Sequence, residues 1–94
     1  MLTITNAAYS RLHEMLSTQP TDIAARLSRK NDRTHVVRGK QRPGDKVVKH
    51  EGRVVLLMNK SMSQRLQDKV LDVRKTEDGP KLGLRPDRDD PTAN

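Results

Sequence analysis

Val54-Val55-Leu56-Leu57-Met58 is the longest uninterrupted apolar run in the chain, five residues long. That is enough for one strand buried on both faces and far short of the roughly 20 residues of a membrane-spanning helix. Every other apolar stretch is broken at short intervals, so a fold built on this sequence needs one central strand with amphipathic partners around it. Phe and Trp are absent, Tyr9 is the one aromatic ring, and apolar residues make up 32% against 33% charged. The core is therefore small and aliphatic, and a chain of 94 residues supports a single domain.

The elements follow from spacing. Leu2 to Thr5 alternates as a short strand, and Asn6 is suited to cap a helix over residues 7–16, in which Ala8, Leu12, Met15 and Leu16 share one face. Ile23, Ala25 and Leu27 alternate with Ala24, Arg26 and Ser28 as a half-buried strand, and residues 34–38 form another beyond an Asn31-Asp32 turn. Strands over 46–49 and 53–58 flank His50-Glu51-Gly52, a hairpin connection. A short helix capped by Ser61, with Met62 and Leu66 four apart, precedes strands over 70–74 and 81–85 joined through Asp78-Gly79-Pro80. Ile4, Leu12, Leu27, Val55, Leu57, Leu71 and Leu82 or Leu84 are expected in one core. Residues 1–86 read as the domain and residues 87–94, which have no periodic apolar residue, as a disordered tail. The predicted fold class is mainly β, a β-rich α+β arrangement with helices at the side of the sheets.

The excess of positive charge is confined to one segment. The formal net charge is +7, and residues 26–53 hold ten basic and three acidic side chains, so the whole excess lies there. Alternation should turn Arg26, Arg38 and Lys46 away from the core, and Arg29, Lys30, Arg33, Lys40 and Arg42 fall in the intervening loops. These eight residues are the candidate patch for a polyanion or an acidic partner. Without Phe or Trp there is no set of stacking platforms for single-stranded nucleic acid, which places a protein partner ahead of a nucleic acid. A solubilising surface for a domain with a small core is the simplest alternative use of the same charges.

The absence of cysteine removes thiolate nucleophiles, disulfides, thiolate zinc sites and cysteine-held clusters together. His13, His35 and His50 are the three imidazoles, and none lies three or four residues from another. No nucleophile elbow, phosphate loop or dinucleotide fingerprint occurs, and the serines at 10, 17, 28, 61 and 63 have no evident base, so no enzyme activity is expected. The N-terminus has neither a basic region nor a continuous apolar segment of the secretory type, and a cytoplasmic location is expected.

Several groups of residues, in order, resemble the HesB-like family, the A-type carriers of iron–sulfur cluster assembly. Thr3-Ile4-Thr5-Asn6-Ala7-Ala8, followed by Arg11-Leu12, is similar to that family's first strand and helix start. Arg26-Leu27 stands where the family has its Arg-Leu strand, and Pro43-Gly44-Asp45-Lys46-Val47-Val48 resembles its Pro-x-Asp stretch. Gly52, the run Val54 to Met58, Lys60-Ser61, Leu66 and Val70-Leu71-Asp72-Val73 follow the family's order with near-identical spacing, and Pro86 falls near its usual Asn-Pro. The resemblance covers residues 2–86 and implies a compact mixed or antiparallel β-sandwich or pseudo-barrel with one N-terminal helix and one short helix. The family holds its cluster or iron through three cysteines, none of which exists here, and the loop expected to hold the first, Lys30 to His35, is short and basic. Asp87, Asp89 and His35 stand near the missing positions, but an Asp-rich tail is expected to be solvated. The resemblance thus implies the fold, a family-like homodimer or protein-binding surface, and no bound cofactor.

Overall fold

The apolar run forms an inner strand of a four-stranded sheet. A computed structural model describes residues 2–86, in the order β1 (Thr3–Ile4), α1 (Asn6–Leu16), β2 (Ile23–Lys30), β3 (Arg33–Lys40), β4 (Lys46–His50), β5 (Arg53–Met58), α2 (Lys60–Arg65), β6 (Lys69–Thr76) and β7 (Gly79–Pro86). The expected tail, residues 87–94, lies outside the described residues. One sheet has the order β3-β2-β5-β4 and the other β1-β6-β7. Each contains one parallel pair, β2 with β5 and β1 with β6, and the remaining pairs are antiparallel. The fold is thus β-rich with two mixed sheets and two helices. Among the described residues no helix is long and apolar enough to cross a membrane.

The core is shared by both sheets and both helices. Ala8, Leu12 and Leu16 of α1 pack with Ala25, Leu27, Val55, Leu56, Met58, Met62, Leu66 and Leu71. Ile4, Leu82 and Leu84 are half-buried against this cluster. Two details of β5 go beyond a simple alternating strand. Lys49 pairs with Val54 and Val48 with Leu56, which leaves Val55 as the extra residue of a β-bulge. A bulge lets consecutive side chains enter one face, and Val55 and Leu56 both do so. Leu57, also fully buried, lies outside that cluster. It lines a cavity with Thr21, Asp22, Ala24, Lys40, Gln41 and Val54, so the expected single core is divided by the sheet.

Hairpin turns account for the tight connections. Asn31 and Asp32 both take left-handed φ values of 52° and 62°, and Glu51 and Gly52 take 54° and 80°. Two such residues in succession form the type I′ geometry that matches the twist of paired strands. The basic loop expected at Lys30 to His35 is therefore a two-residue turn between longer strands, with Lys30 opposite Arg33.

Polar staples fix the elements to one another. The helix caps are Thr5 and Asn59, not Asn6 and Ser61: Thr5 Oγ1 accepts from the Ala8 N–H at 3.1 Å and Asn59 Oδ1 from the Met62 N–H at 2.7 Å. Thr5 also donates its hydroxyl to Asp72 at 2.8 Å, joining the start of α1 to β6. Asp72 accepts the Val73 N–H and the Thr5 hydroxyl, and these, with Arg85 beside it, hold its carboxyl below the usual carboxylate range. Arg53 donates to the carbonyls of Gln19, Pro20 and Ile23, which ties the β4–β5 hairpin to the loop after α1.

Candidate functional site

The expected positive segment divides into structural and accessible cations. Arg26 was expected to face solvent, and it is buried, at 8% exposure. Its guanidinium forms a two-pronged pair with Asp45, Nη1 at 3.1 Å from Oδ1 and Nη2 against Oδ2, and Nη2 also donates to the Lys40 carbonyl at 3.2 Å. Asp45 in turn accepts the Arg42 N–H at 2.7 Å. The Arg26 guanidinium beside Asp45 holds that carboxyl below the usual carboxylate range, burial opposes the shift, and the Arg42 N–H reinforces it. The physical reason for the burial is that the segment from Lys40 to Asp45 folds over this face of β2, so Ala24 to Leu27 are buried in succession where alternation would expose every second residue.

The other patch residues lie on the β2–β3 hairpin and the loop after it, except Lys46, which opens β4. Arg29 and Lys30 end β2, Arg33 begins β3, and Arg38 and Lys40 lie farther along it. Arg29 faces Asp32 at 3.2 Å and Lys40 faces Asp22 at 3.5 Å, both in exposed pairs that contribute little to stability. Among the described residues, Lys30, Arg33, Arg38, Arg42 and Lys46 have no carboxylate within ion-pair distance. They do not share one surface. Arg33 lines a cavity between β3 and β7 with Arg74, and Lys46 lines another with Lys60.

One cleft is lined by four arginines. Arg26, Arg29 and Arg42 line a volume of about 200 Å³ with Arg65, together with Ser28, Ser61 and Asn59, and with Leu27 and Met62 as apolar walls. Ser61 and Arg65 are four apart on α2, hence on one side of it, while Met62 enters the core. Arg26 is neutralised by Asp45 and Arg29 is partly offset by Asp32. Arg42 and Arg65 have no carboxylate within ion-pair distance among the described residues, although the Arg42 charge acts on Asp45 from farther away. Guanidinium groups suit planar anions because they donate in a fixed fork, and the serine hydroxyls and Asn59 can add donors around the same space. This arrangement can hold a carboxylate or phosphate and offers no nucleophile with a base. Arg65 was not among the sequence candidates, because it lies beyond the segment of excess charge. Its spacing from Ser61 is the signal that could have found it.

His35 lies exposed on β3, apart from His13 and His50, and Asp87 and Asp89 lie outside the described residues. Tyr9 stacks on His50 with centroids 4.0 Å apart, away from the arginine cleft.

No family model matches this sequence, and no curated protein sequence matches it. Solved structures do. The chain is similar to Escherichia coli SufA, a protein involved in biosynthesis of iron–sulfur clusters, with a TM-score of 0.71, 19% identity, and coverage of 90% of this chain and 84% of that one. It is also similar to IscA with a [2Fe-2S] cluster, with a TM-score of 0.61, 16% identity, and coverage of 92% and 85%. The chain has the fold of these two proteins, and the expected β-rich architecture with two helices is the one observed.

Proposed function

We propose that the protein is a non-catalytic, cysteine-free version of the A-type carrier fold, related to iron–sulfur cluster biogenesis, that acts as a protein-binding module. Its partner is a protein bearing an acidic segment, which docks in the cleft formed by Arg29, Arg42 and Arg65. The observation that carries this reading is the convergence of Arg42 and Arg65, two cations with no carboxylate within ion-pair distance among the described residues, on hydroxyl donors and an apolar wall; Asp45, already paired with Arg26, acts on the Arg42 charge only from farther away. The fold supports it from a second direction, since one structural neighbour is involved in iron–sulfur cluster biosynthesis, the other holds a [2Fe-2S] cluster, and the thiolates that hold such clusters are absent from this sequence. A nucleic acid is the less favoured partner. The single aromatic ring is already stacked on His50, which leaves no free ring beside the cleft for a base.

The test is a pair of titrations, one with an acidic peptide and one with a single-stranded oligonucleotide, each at two salt concentrations. Wild-type protein should bind the peptide more tightly than the oligonucleotide, and Arg42→Glu with Arg65→Glu should remove peptide binding while the circular dichroism spectrum is kept. The triple reversal Arg38→Glu, Lys40→Glu, Arg42→Glu should weaken binding through Arg42. Preferred binding of the oligonucleotide, with log K falling by about 0.7 per phosphate contact as log salt rises, would assign the basic segment to nucleic acid instead. Binding unchanged in both variants would return these cations to a solubilising role.

A further inference from the structure

His13 and His50 are separated by 37 residues in sequence, and the fold brings His13 Nε2 to 2.8 Å from His50 Nδ1. Glu51 is the third member: its Oε2 lies 4.0 Å from His13 Nε2. One ligand atom from each of the three side chains lies within 4.8 Å of the other two. Three different constraints assemble them. His13 stands near the end of α1, His50 is the last residue of β4, and Glu51 opens the type I′ turn that follows. Tyr9, one turn before His13 on α1, stacks on the His50 ring with an interplanar angle of 11° and so fixes its orientation. The group borders a cleft also lined by Asn6 and Ser10.

We propose that His13 Nε2, His50 Nδ1 and the Glu51 carboxylate form a site for a divalent transition metal of the zinc class, with water completing the coordination. The ligand chemistry fits: two imidazole nitrogens and a carboxylate are the donor set of open zinc sites, and imidazole also suits nickel and copper. The geometry needs two adjustments. Tetrahedral zinc with bonds of about 2.0–2.1 Å to nitrogen places two such ligands about 3.3 Å apart, so the rings must separate by about half an ångström from their hydrogen-bonded spacing and turn by about 35° each, so that both lone pairs meet the metal rather than each other. The Glu51 side chain, 74% exposed, is free to swing toward the metal. In the metal-free pair one ring donates its N–H to the other. Metal binding requires that ring to carry its proton on the remaining nitrogen, a change of tautomer with no net loss of a proton from either neutral imidazole. A half-buried histidine pair sharing one proton and clamped by a stacked ring is already held close to this arrangement.

The test uses the tag-free full chain and zinc chloride in isothermal titration, with cobalt(II) absorption as a report of coordination. One zinc per chain is expected. His13→Gln or His50→Gln should weaken binding by about 100-fold or more, Glu51→Gln by about tenfold, and His35→Gln should leave it unchanged. A protein that binds only in its folded form also predicts a rise in melting temperature with zinc in the wild type and none in His13→Gln. If a variant fails to fold by circular dichroism, imidazole NMR of the wild type decides: zinc should shift the His13 and His50 ring resonances and spare those of His35. Binding equally strong in His13→Gln, an equal loss in His35→Gln, or ring shifts confined to His35 would each overturn the proposal, as would the absence of saturable binding.

Discussion

A single buried ion pair shows how residue chemistry supports this fold. Arg26 and Asp45 are removed from solvent with side-chain exposures of 9% and 3%, and neither is tolerable there alone, because an unpaired buried charge costs several kcal/mol. Replacement of Asp45 by Asn keeps the shape and removes the charge, and should destabilise the protein at neutral pH by about 1.5–3 kcal/mol, the range for hydrogen bonds to a charged group. The pH dependence has a definite sign. The carboxyl is depressed below its ordinary value of 3.8, so its stabilisation is full above that value and lost as pH falls through the lower, folded one. The gap in melting temperature between wild type and Asp45→Asn should therefore narrow as pH falls below about 4, and a gap that stays constant to pH 2 would contradict the pairing. Thr5 offers a second residue test, since Thr5→Val removes both the helix cap and the donor to Asp72. A loss of about 1–2 kcal/mol, largely recovered in Thr5→Ser, is expected from chemical denaturation. Such pairs were hidden from sequence reading. Asp45 is 19 residues from Arg26 and Asp72 is 67 from Thr5, and nothing in local alternation says that a loop will fold back over β2. Capping residues were legible in kind only: Thr5 beside Asn6, and Asn59 beside Ser61, are all capping types, and geometry chooses between them.

At the scale of elements, strands and helices were legible where apolar periodicity is strong. Val54 to Met58 reads as an inner strand and is one, and Ala8, Leu12 and Leu16 form the buried face of α1 as their spacing requires, while Met15, expected on the same face, is only half-buried and lies outside the core cluster. What periodicity missed is the bulge at Val55 and the assignment of Leu57 to the other side of the sheet, since a run with no polar residue carries no information about which side chain faces which way. Leu57→Ala should still cost about 2–5 kcal/mol, because it is fully buried; a loss below about 0.5 kcal/mol would place it at the surface. Ends of β2, β3, β4, β6 and β7 were read short by one or two residues. In β2 and β3 the reason is that Arg29, Lys30, Arg33 and Lys40 carry loop-like polarity while pairing in register to the turn. That turn also makes a prediction. Asp32 holds φ at 62°, where glycine is unstrained, so Asp32→Gly should stabilise the hairpin by up to about 1 kcal/mol, read as a higher melting temperature. The exposed Arg29–Asp32 pair that it removes offsets little of this.

The molecule as a whole holds the fold it shares with SufA and IscA through residues that bind other parts of the chain. Arg26 of the Arg-Leu strand holds Asp45 of the Pro-Gly-Asp stretch, and Thr5 of the opening motif holds Asp72 near the end of the resemblance. The similarity was therefore readable in sequence because it consists largely of fold staples and core residues. The candidate site was only half readable: Arg29 and Arg42 were identified by charge, while Arg65 enters through tertiary structure, and so does the approach of His13 to His50. The central claim is that binding in this protein belongs to an arginine cleft beside α2. It is tested most directly by mapping amide chemical shifts of ¹⁵N-labelled protein during titration with an acidic peptide at moderate salt. Shifts concentrated at Ser28, Arg29, Arg42, Ser61 and Arg65, and abolished in the Arg42→Glu, Arg65→Glu variant, are the predicted result. Shifts spread evenly over the exposed lysines and arginines, or centred away from α2, would contradict it.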